Sequence, residues 1–557
     1  GTLYNVLPSG NKAPDETGSH NGYDQTRADF TFSRGSNLAA TRVNSDGLIE
    51  KGRENLLLQS NTFDTTWGDD GGTIASGFEG YDGTNNAWKY TKTGQFDGIN
   101  QSGLSITGVH TVSVYAKLPD GETDVDSLLF RIDYSGGNTN IVFRLDDDSV
   151  PTASGNGIHA EKESVGNGWY RCSFSLNQST TKVNFRPSLG SSTSGTSGSI
   201  FIQNAQLEKG LVATDVITTT TASAQAGILE DMPRINYDAN GENGALLLEP
   251  SRTNLVTYSE YFEHSLWDSG ATTADVSKSP NLSPEGVANC YYVENVSGGQ
   301  LGFYTTITSG ASYTGSFWVR KVSGSGVVRM INVNNSGTDF NVGTEWTRVS
   351  VTATSTSTTG RCYVQAKNTG DIIEVYGAQL EAGNYASSYV PTYGSAVTRS
   401  AESGTSTNEN DLFTSGEGVV YMEFEIDDVT ISGYPQLFRI ENPSDTNDKF
   451  WGYIFDDSDT GEISFGYRLD ENAVKKSEGS FTVDTTTTAK IAMRLDNNNY
   501  AAYYNGTKDV PTQYAGVVSN LTKIVISSVP YPVGVSLKKF FIINEALSDS
   551  ELADLTS

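Results

Sequence analysis

Leu48-Ile-Glu-Lys-Gly-Arg-Glu-Asn-Leu56 and Leu247-Leu-Glu-Pro-Ser-Arg-Thr-Asn-Leu255 carry the same Leu, Glu, Arg, Asn and Leu in the same frame, 199 residues apart. Upstream, Arg42-Val-Asn-Ser-Asp46 matches Arg234-Ile-Asn-Tyr-Asp238. Downstream, Ser60, Phe63 and Trp67 match Ser259, Phe262 and Trp267, and Ser113-Val-Tyr-Ala-Lys117 matches Ser316-Phe-Trp-Val-Arg320. Gly168-Trp-Tyr-Arg171 then resembles Glu345-Trp-Thr-Arg348, and Ala205-Gln-Leu-Glu-Lys-Gly210 matches Ala378-Gln-Leu-Glu-Ala-Gly383. The order never changes and the spacing drifts between matches, which is what one domain used twice, with insertions in loops, produces.

The unit reads as all-β. Thr111–Lys117, Ser127–Asp133, Ile141–Leu145, Tyr170–Leu176 and Ser199–Gln203 are short and alternate apolar with polar residues. Period two sends one face to a core and one to water. Gly, Asn, Asp and Ser turns separate the runs at the intervals of a sandwich or jelly roll. The expected organisation is a lead-in over 1–40, a sandwich over 41–217, a linker over 218–233, its repeat over 234–398, a linker over 399–416 and a third unit over 417–557. The lead-in has few apolar residues, so its expected ordering is against a neighbouring subunit.

The third unit does not repeat the first two. Val420, Met422, Phe424 and Ile426 share one face of its opening strand, and Phe450–Phe455 and Ile463–Leu469 flank the turn Asp456-Asp-Ser-Asp-Thr-Gly461, a hairpin. Asn505-Gly506 signals another. A terminal helix is expected after Ser548, with Glu551 completing a capping box and Leu547 facing Leu552 as a staple.

Composition excludes several functions. Lys+Arg is 37 against Asp+Glu 66, a net charge of −29, and no basic cluster appears. Phosphate-tracking proteins need such a cluster, so nucleic acid is not an expected partner. No apolar run approaches a membrane span, and no basic-then-apolar signal peptide opens the sequence. Charged residues are 18% of the chain and the polar surface is largely Ser, Thr and Asn, which suits an extracellular or particle-borne protein. The three Cys (172, 290, 362) and four His (20, 110, 159, 264) have no metal spacing or triad motif. Cys290 and Cys362 fall in one repeat, either as a pair or as two buried thiols.

Leu246-Leu-Leu-Glu-Pro-Ser-Arg-Thr-Asn-Leu255, the run from Gly377 to Arg399 (containing Tyr389-Val-Pro-Thr392), and Asp29-Phe-Thr-Phe-Ser-Arg34 resemble segments of tailed-bacteriophage and prophage structural proteins. These are tail-fibre and related appendage proteins with carbohydrate-binding-module-like β-sandwiches. Asn544–Leu552 and its unit are similar to laminin-G/concanavalin-A-like jelly rolls. The resemblance covers roughly 28–557. It implies a virion or extracellular location, a homotrimer, and host-surface polysaccharide and other virion proteins as partners. The first unit departs from it after Leu211, where Val212-Ala-Thr-Asp-Val-Ile217 lacks the Tyr-Val-Pro-Thr signature, so a different packing is expected there.

Candidate binding residues are aromatic. Trp451 and Tyr453 share a strand face with Phe455, opposite Phe450 and Ile454; the core can take only one of these faces. Trp318 and Trp88 are matched by Tyr115 and Tyr291, aromatic in both copies but different in size. An outward Trp318 beside Arg320 offers a sugar a stacking surface and a guanidinium; packing against a neighbouring domain is the competing reading. Carboxylates of Asp457, Asp459 and Glu462 around Gly461 loosely resemble a calcium loop, with Asp146–Asp148 and Asp238–Glu242 as alternatives and solvated turns as the simpler reading. Otherwise no cofactor and no catalytic residue is expected. The leading function is a non-enzymatic appendage or fibre subunit that binds glycans through many weak contacts. A polysaccharide-degrading enzyme or its accessory modules, and a bacterial surface filament or adhesin, are the alternatives.

Overall fold

The computed structural model describes residues 3–6, 30–153, 155–190, 195–230, 232–268, 274–334, 336–406, 417–426, 433–457, 462–471, 474–484, 486–496, 500–509, 512–513, 521, 523–527, 534–543 and 545–557. They form three antiparallel β-sandwiches and a terminal helix.

In the first sandwich one sheet runs Gly157–Gly166, Trp169–Asn177, Val109–Lys117, Ser199–Lys209, Ala87–Thr91, Thr73–Phe78. The facing sheet runs Gly137–Arg144, Ser127–Tyr134, Thr180–Ser188, Ile99–Ile106, Gly68–Asp69. The second sandwich repeats this order: Thr347–Thr354, Ser312–Ser323, Ile372–Ala382, Tyr291–Asn295, Ala274–Lys278 against Gly337–Asn341, Val327–Ile331, Thr359–Ala366, Leu301–Thr306, Trp267–Asp268. The edge strand Gly157–Gly166 is extra in the first copy. Alternation works as expected: Val112, Val114 and Ala116 enter one core, Phe317 and Val319 the other. Cys290 and Cys362 are buried, separate thiols.

The repeated motif is a clasp. The Asn55 carboxamide donates to the carbonyls of Ala205 and Ile217 (3.1 and 2.8 Å) and accepts from the amides of Leu57 and Leu207. Asn254 does the same for Ala378 and Val390 (3.0 and 2.8 Å), Val256 and Leu380. One Asn fills all four of its hydrogen-bonding positions on main chain that no strand neighbour serves. Beside it, Gln206 donates to Glu208 and accepts from the Ile217 amide, as Gln379 does with Glu381 and Val390. Glu208 caps Thr214 and Glu381 caps Ser387, each through amide and hydroxyl. Thus the first unit, although it lacks Tyr-Val-Pro-Thr, makes the same bonds after Leu211; the expected difference in packing is not found. The bonds there are made by main chain and by one small hydroxyl residue, so Val216 can stand where the second copy has Tyr389.

Three boundaries move. Ile235–Asn236 and Ala245–Leu248 pair with each other and join a sheet of the third sandwich, so the second sandwich begins near Arg252. Ser403–Ser406, placed in a linker by composition, is a strand between Phe30–Ser33 and Lys523–Ser527. Leu3–Val6 pairs with Val535–Ile543. The lead-in therefore adds strands to both sheets of its own chain's third sandwich, rather than waiting for another subunit. Polar Thr and Ser in Phe30–Ser33 and Ser403–Ser406 hide these two from a hydropathy reading, because main-chain pairing holds them.

In the third sandwich Val420, Met422, Phe424 and Ile426 face the core shared with Phe438, Phe450 and Ile454. Val419 and Tyr421, on the other face, pack under Leu547 and under Leu552 of the helix Asp549–Thr556, whose capping box is formed by Ser548 and Glu551. Asn505 and Gly506 both take positive φ (43° and 79°), as a tight hairpin turn requires.

Buried ion pairs tie the sandwiches together. Arg234 bonds Glu249 (2.6 Å) and Glu402; Arg399 also bonds Glu249 (2.9 Å), and Arg34 bonds Glu402 (3.3 Å). Burial would push the Glu249 carboxyl up, but Arg399, Arg234 and the two Ser388 donors outweigh it and hold it at about 2. At the junction of the first and second sandwiches, Lys51 bonds Glu260 and Glu285 (2.6 Å each), with Tyr376 and Tyr389 rings 5.4 and 5.9 Å away.

Two predictions follow from this packing. Asn254→Ala leaves four main-chain groups unpaired, and calorimetry should show a loss on the order of 3 kcal/mol; a loss under about 0.5 kcal/mol would mean the clasp is dispensable. Acid should destabilise the protein in two steps. Burial holds His110 at about 4 and His159, also disfavoured by Lys278, at about 3. The unfolded chain takes up these protons from about pH 6.5 downward while the folded chain does not, so stability falls over that window. Glu249 adds a second loss from its unfolded value near 4.5 down to about 2. Melting temperature measured against pH should show both; a flat profile from pH 7 to 4 contradicts the histidine step.

Candidate functional site

The second sheet of the third sandwich is Phe30–Ser33, Ser403–Ser406, Lys523–Ser527, Gln436–Asn442, Asp445–Asp457, Glu462–Glu471, Val474–Thr482, Thr512–Gln513. Its central strand resolves the choice of face that alternation leaves open. Phe450 and Ile454 enter the core, and Gly452 is bare because a Cβ there would lie 2.4 Å from Phe438 and 2.6 Å from Phe465. Trp451, Tyr453 and Phe455 therefore line the outer face.

These rings form a continuous strip. Trp451 and Tyr453 centroids are 4.4 Å apart, and those of Tyr453 and Phe455 5.8 Å. Tyr434, 56% exposed, packs edge-on against Tyr453 at 5.6 Å. Two-residue steps along a strand make the strip roughly 13 Å long. Gly466 lies cross-strand from Tyr453, and a Cβ there would be 2.4 Å from the phenol ring, so the missing side chain lets that ring lie down on the sheet.

Charged groups frame the strip. The Trp451 indole N–H donates to Asp470 (2.9 Å), and Asp470 pairs with Arg468 (2.6 Å), which sits cross-strand from Trp451. Arg468 and Lys449 lie 5.9 and 5.5 Å from the Trp451 ring. On the neighbouring strands Glu441 pairs with Arg439 (2.5 Å) and Lys523 (2.9 Å). The result is an apolar, flat, half-buried surface with donors and acceptors at its rim. It suits a ligand with an apolar ring face and polar edges.

The other sequence candidates are placed elsewhere. Trp88 is a core residue, 8% exposed, packed on Phe63 and donating to the Asn61 carbonyl (2.9 Å); it presents no ring face to a ligand, because the first copy fills its core where the second has fully buried Tyr291. Arg320 is committed to Glu374 (2.5 Å) and to the Trp346 ring (4.6 Å), so its guanidinium is a strut within the second sandwich. Trp318 packs beside Ile49, Tyr376 and Tyr389 at the domain junction, away from the strip. Of the calcium candidates, Asp459 and the side chain of Asp457 lie outside the described residues; Glu462 is exposed and accepts from Thr482 (3.3 Å). The alternative acidic turns serve themselves: Asp238 caps the amides of Asn240 and Glu242, and Asp147 bonds Arg144 and Ser149. Among the described residues no group of three metal-ligating side chains converges.

Sequence reading missed Tyr434, Arg468 and Asp470. Once Asp457 and Glu462 close the hairpin, counting back puts Arg468 opposite Trp451, so two of the three were accessible from the turn length. Tyr434 belongs to an irregular approach to its strand and leaves no periodic signal. A further cavity of about 680 Å³ lies between the lead-in and the first two sandwiches, near Leu38, Arg53, Lys209, Tyr258 and Tyr393. Its polar walls are mutually occupied: Lys209 donates to the Thr107 carbonyl, Tyr258 accepts from Asn177 (3.2 Å) and Arg53 pairs with Glu285.

No family model and no curated protein sequence matches the chain. Among solved structures it is similar to the CBM40 of Ruminococcus gnavus IT-sialidase bound to α2,3-sialyllactose, at 18% identity over 26% of this chain and 83% of that one, TM-score 0.22. It is also similar to the CBM22-1–CBM22-2 tandem of Paenibacillus barcinonensis Xyn10C, at 11% identity over 63% of this chain and 100% of that one, TM-score 0.22. The receptor-binding domain of botulinum neurotoxin type G matches at 13% identity over 28% of this chain and 39% of that one, TM-score 0.22.

Proposed function

We propose that the chain is a non-catalytic glycan-binding subunit of a tailed-phage appendage, acting in the virion or outside the cell and assembled as a homotrimer. The observation that supports the binding activity is the Trp451–Tyr453–Phe455 strip, extended by Tyr434 and rimmed by Arg468 and Asp470. A pyranose has a C–H face that stacks on such rings and hydroxyls that reach the charged rim. Each contact is shallow and weak, and several copies on one particle convert weak contacts into attachment. The appendage role rests on the sequence resemblance of 246–255 and 377–399. In the fold both segments contribute to the clasp and the junctions, as the rigid joints of a load-transmitting fibre would.

Trp451→Ala should lower binding to a host-polysaccharide array by about tenfold or more, since truncating a central aromatic anchor of a binding surface costs about 2 kcal/mol or more. Its melting temperature should change little. An unchanged array signal from a folded variant removes the strip as the binding surface. Sedimentation should give a trimer; a monomer at all concentrations removes the assembly. Reducing ends released from the bound polysaccharide would instead favour an enzyme.

A further inference from the structure

Five tryptophans place the indole N–H on a protein acceptor: Trp67 on Gln59, Trp88 on Asn61, Trp267 on Tyr258, Trp346 on Leu282 and Trp451 on Asp470. Trp318 is different. Its Nε1 is buried and has no partner among the described residues. The same holds for Arg348 Nε and the Tyr385 hydroxyl, and all three residues line one cavity of about 470 Å³ between the second sandwich, the hairpin Thr41–Val43/Ile49–Lys51 and the third sandwich. That volume is within the roughly 300–1,000 Å³ of small-molecule sites. The strand register explains the convergence: Trp318 and Arg348 are cross-strand partners on the outer face of the second sandwich. Gly534 keeps room for the phenol, since a Cβ there would lie 2.5 Å from the Tyr385 hydroxyl.

The charges are unequally shared around this cavity. Glu249, which lines it, already has Arg234 and Arg399, Glu50 has Arg42 (2.6 Å), and Glu381 has Arg252 (3.6 Å). Among the described residues Arg348 makes one hydrogen bond, to the Ser316 hydroxyl (3.0 Å), and no ion pair. Burial lowers its affinity for a proton more than Glu381 and Glu249 restore it. A buried guanidinium without a counter-charge is costly, and so is each buried donor without an acceptor. One ligand relieves all three: an acceptor-rich anion.

We propose that this cavity binds an oxyanion, to which Arg348 Nε, Trp318 Nε1 and the Tyr385 hydroxyl donate hydrogen bonds, with the indole as an apolar wall for the body of a molecule such as a sugar acid. The site is separate from the Trp451 strip and does not depend on the function proposed for it. In the first sandwich the equivalent ring and guanidinium are covered from within: Tyr81 stacks on Tyr115 (3.7 Å) and Arg171 donates through Nη2 to the Thr214 carbonyl, although its Nε, like that of Arg348, is buried without a partner among the described residues.

The test is calorimetric titration of the full chain with sodium glucuronate, sodium sulfate and glucose at constant ionic strength. Saturable binding of glucuronate or sulfate, and not of glucose, is expected. Glucuronate alone identifies a sugar acid; equal binding of sulfate identifies a free inorganic oxyanion. Trp318→Phe and Tyr385→Phe, which each remove one donor, should weaken binding by about tenfold, and Arg348→Gln should abolish it. Tyr385→Phe should leave the melting temperature unchanged or higher, because it deletes an unpaired buried hydroxyl. No saturable heat with either anion, binding of glucose as tight as of glucuronate, or full affinity in all three variants overturns the proposal. So does a crystal structure grown with the anions in which only water bridges the three donors.

Discussion

The fold depends on how each repeated sandwich disposes of the main chain where its last long strand meets the incoming and outgoing segments. Ser199–Lys209 and Ile372–Ala382 each have to accept strand neighbours on both sides and, at one point, a segment that is not a strand. There the peptide groups have no ladder to join, and the site is fully buried, so water cannot serve them. Asn55 and Asn254 meet that need with one side chain. Aspartate has no donors, leucine has neither donors nor acceptors, and glutamine at the same Cα position puts its amide one methylene too far out. The identity of the residue is therefore dictated, and the identity of Gln206/Gln379 and Glu208/Glu381 follows because they hold the same returning segment.

The clasp also decides how the units connect. The residues just before each Asn leave the sandwich they introduce and pair elsewhere. Thr41–Val43 and Ile49–Lys51 form a hairpin that docks on the second sandwich, where the Ile49 amide donates to Pro284 and the Thr41 hydroxyl to Tyr389. Ile235–Asn236 and Ala245–Leu248 form the matching hairpin, and that one is built into the third sandwich. The salt bridges Arg42–Glu50 and Arg234–Glu249 are the same pair in the two copies, both at 2.6 Å. The first is half-exposed and isolated. The second is buried and has recruited Arg399, Glu402 and Arg34, which supply the compensation that a buried carboxylate requires. A repeated hairpin thus became a joint in each case, with its polarity adjusted to its burial.

The repeat was legible in the sequence for this reason. Its identities cluster at buried polar positions, Arg53/Arg252, Asn55/Asn254 and Gln206/Gln379, where only one side chain satisfies the geometry. The packed aromatic pairs Phe63/Phe262 and Trp67/Trp267 add to the signal, whereas on the central strands apolar positions were interchangeable: Val112 and Val114 do the work of Gly315 and Phe317 in another shape. Strand alternation gave the all-β class and the pairing of faces. It was silent on which face is inside, since Trp451, Tyr453 and Phe455 are as apolar as Phe450 and Ile454; Gly452, crowded by two phenylalanines, settles it only in three dimensions. The unit boundary was misplaced at 234 because the similarity runs through the hairpin, and a sequence match cannot say to which neighbour a hairpin has been lent. Trp88 was misjudged for a related cause: its counterpart Tyr291 differs in size because the two cores are filled differently, not because either faces a ligand.

The duplicated architecture gives an internal comparison for the surfaces. Tyr115 and Trp318 occupy one strand position, and Arg171 and Arg348 the position opposite. With this frame identical, the difference between the copies lies in what covers it. In the first, Tyr81 stacks on Tyr115 and Arg171 lies 5.3 Å from that ring while donating through Nη2 to Thr214, so the covering groups come from its own sandwich and leave only Arg171 Nε without a partner among the described residues. In the second, the covering elements come from other units, the leading hairpin and the third sandwich, and they close over Trp318 without supplying acceptors. A surface formed by three separately folded units is free to change in one unit without disturbing the clasp of another. That freedom is why Trp318 Nε1, Arg348 Nε and the Tyr385 hydroxyl can line one junction cavity without disturbing the frame beneath them.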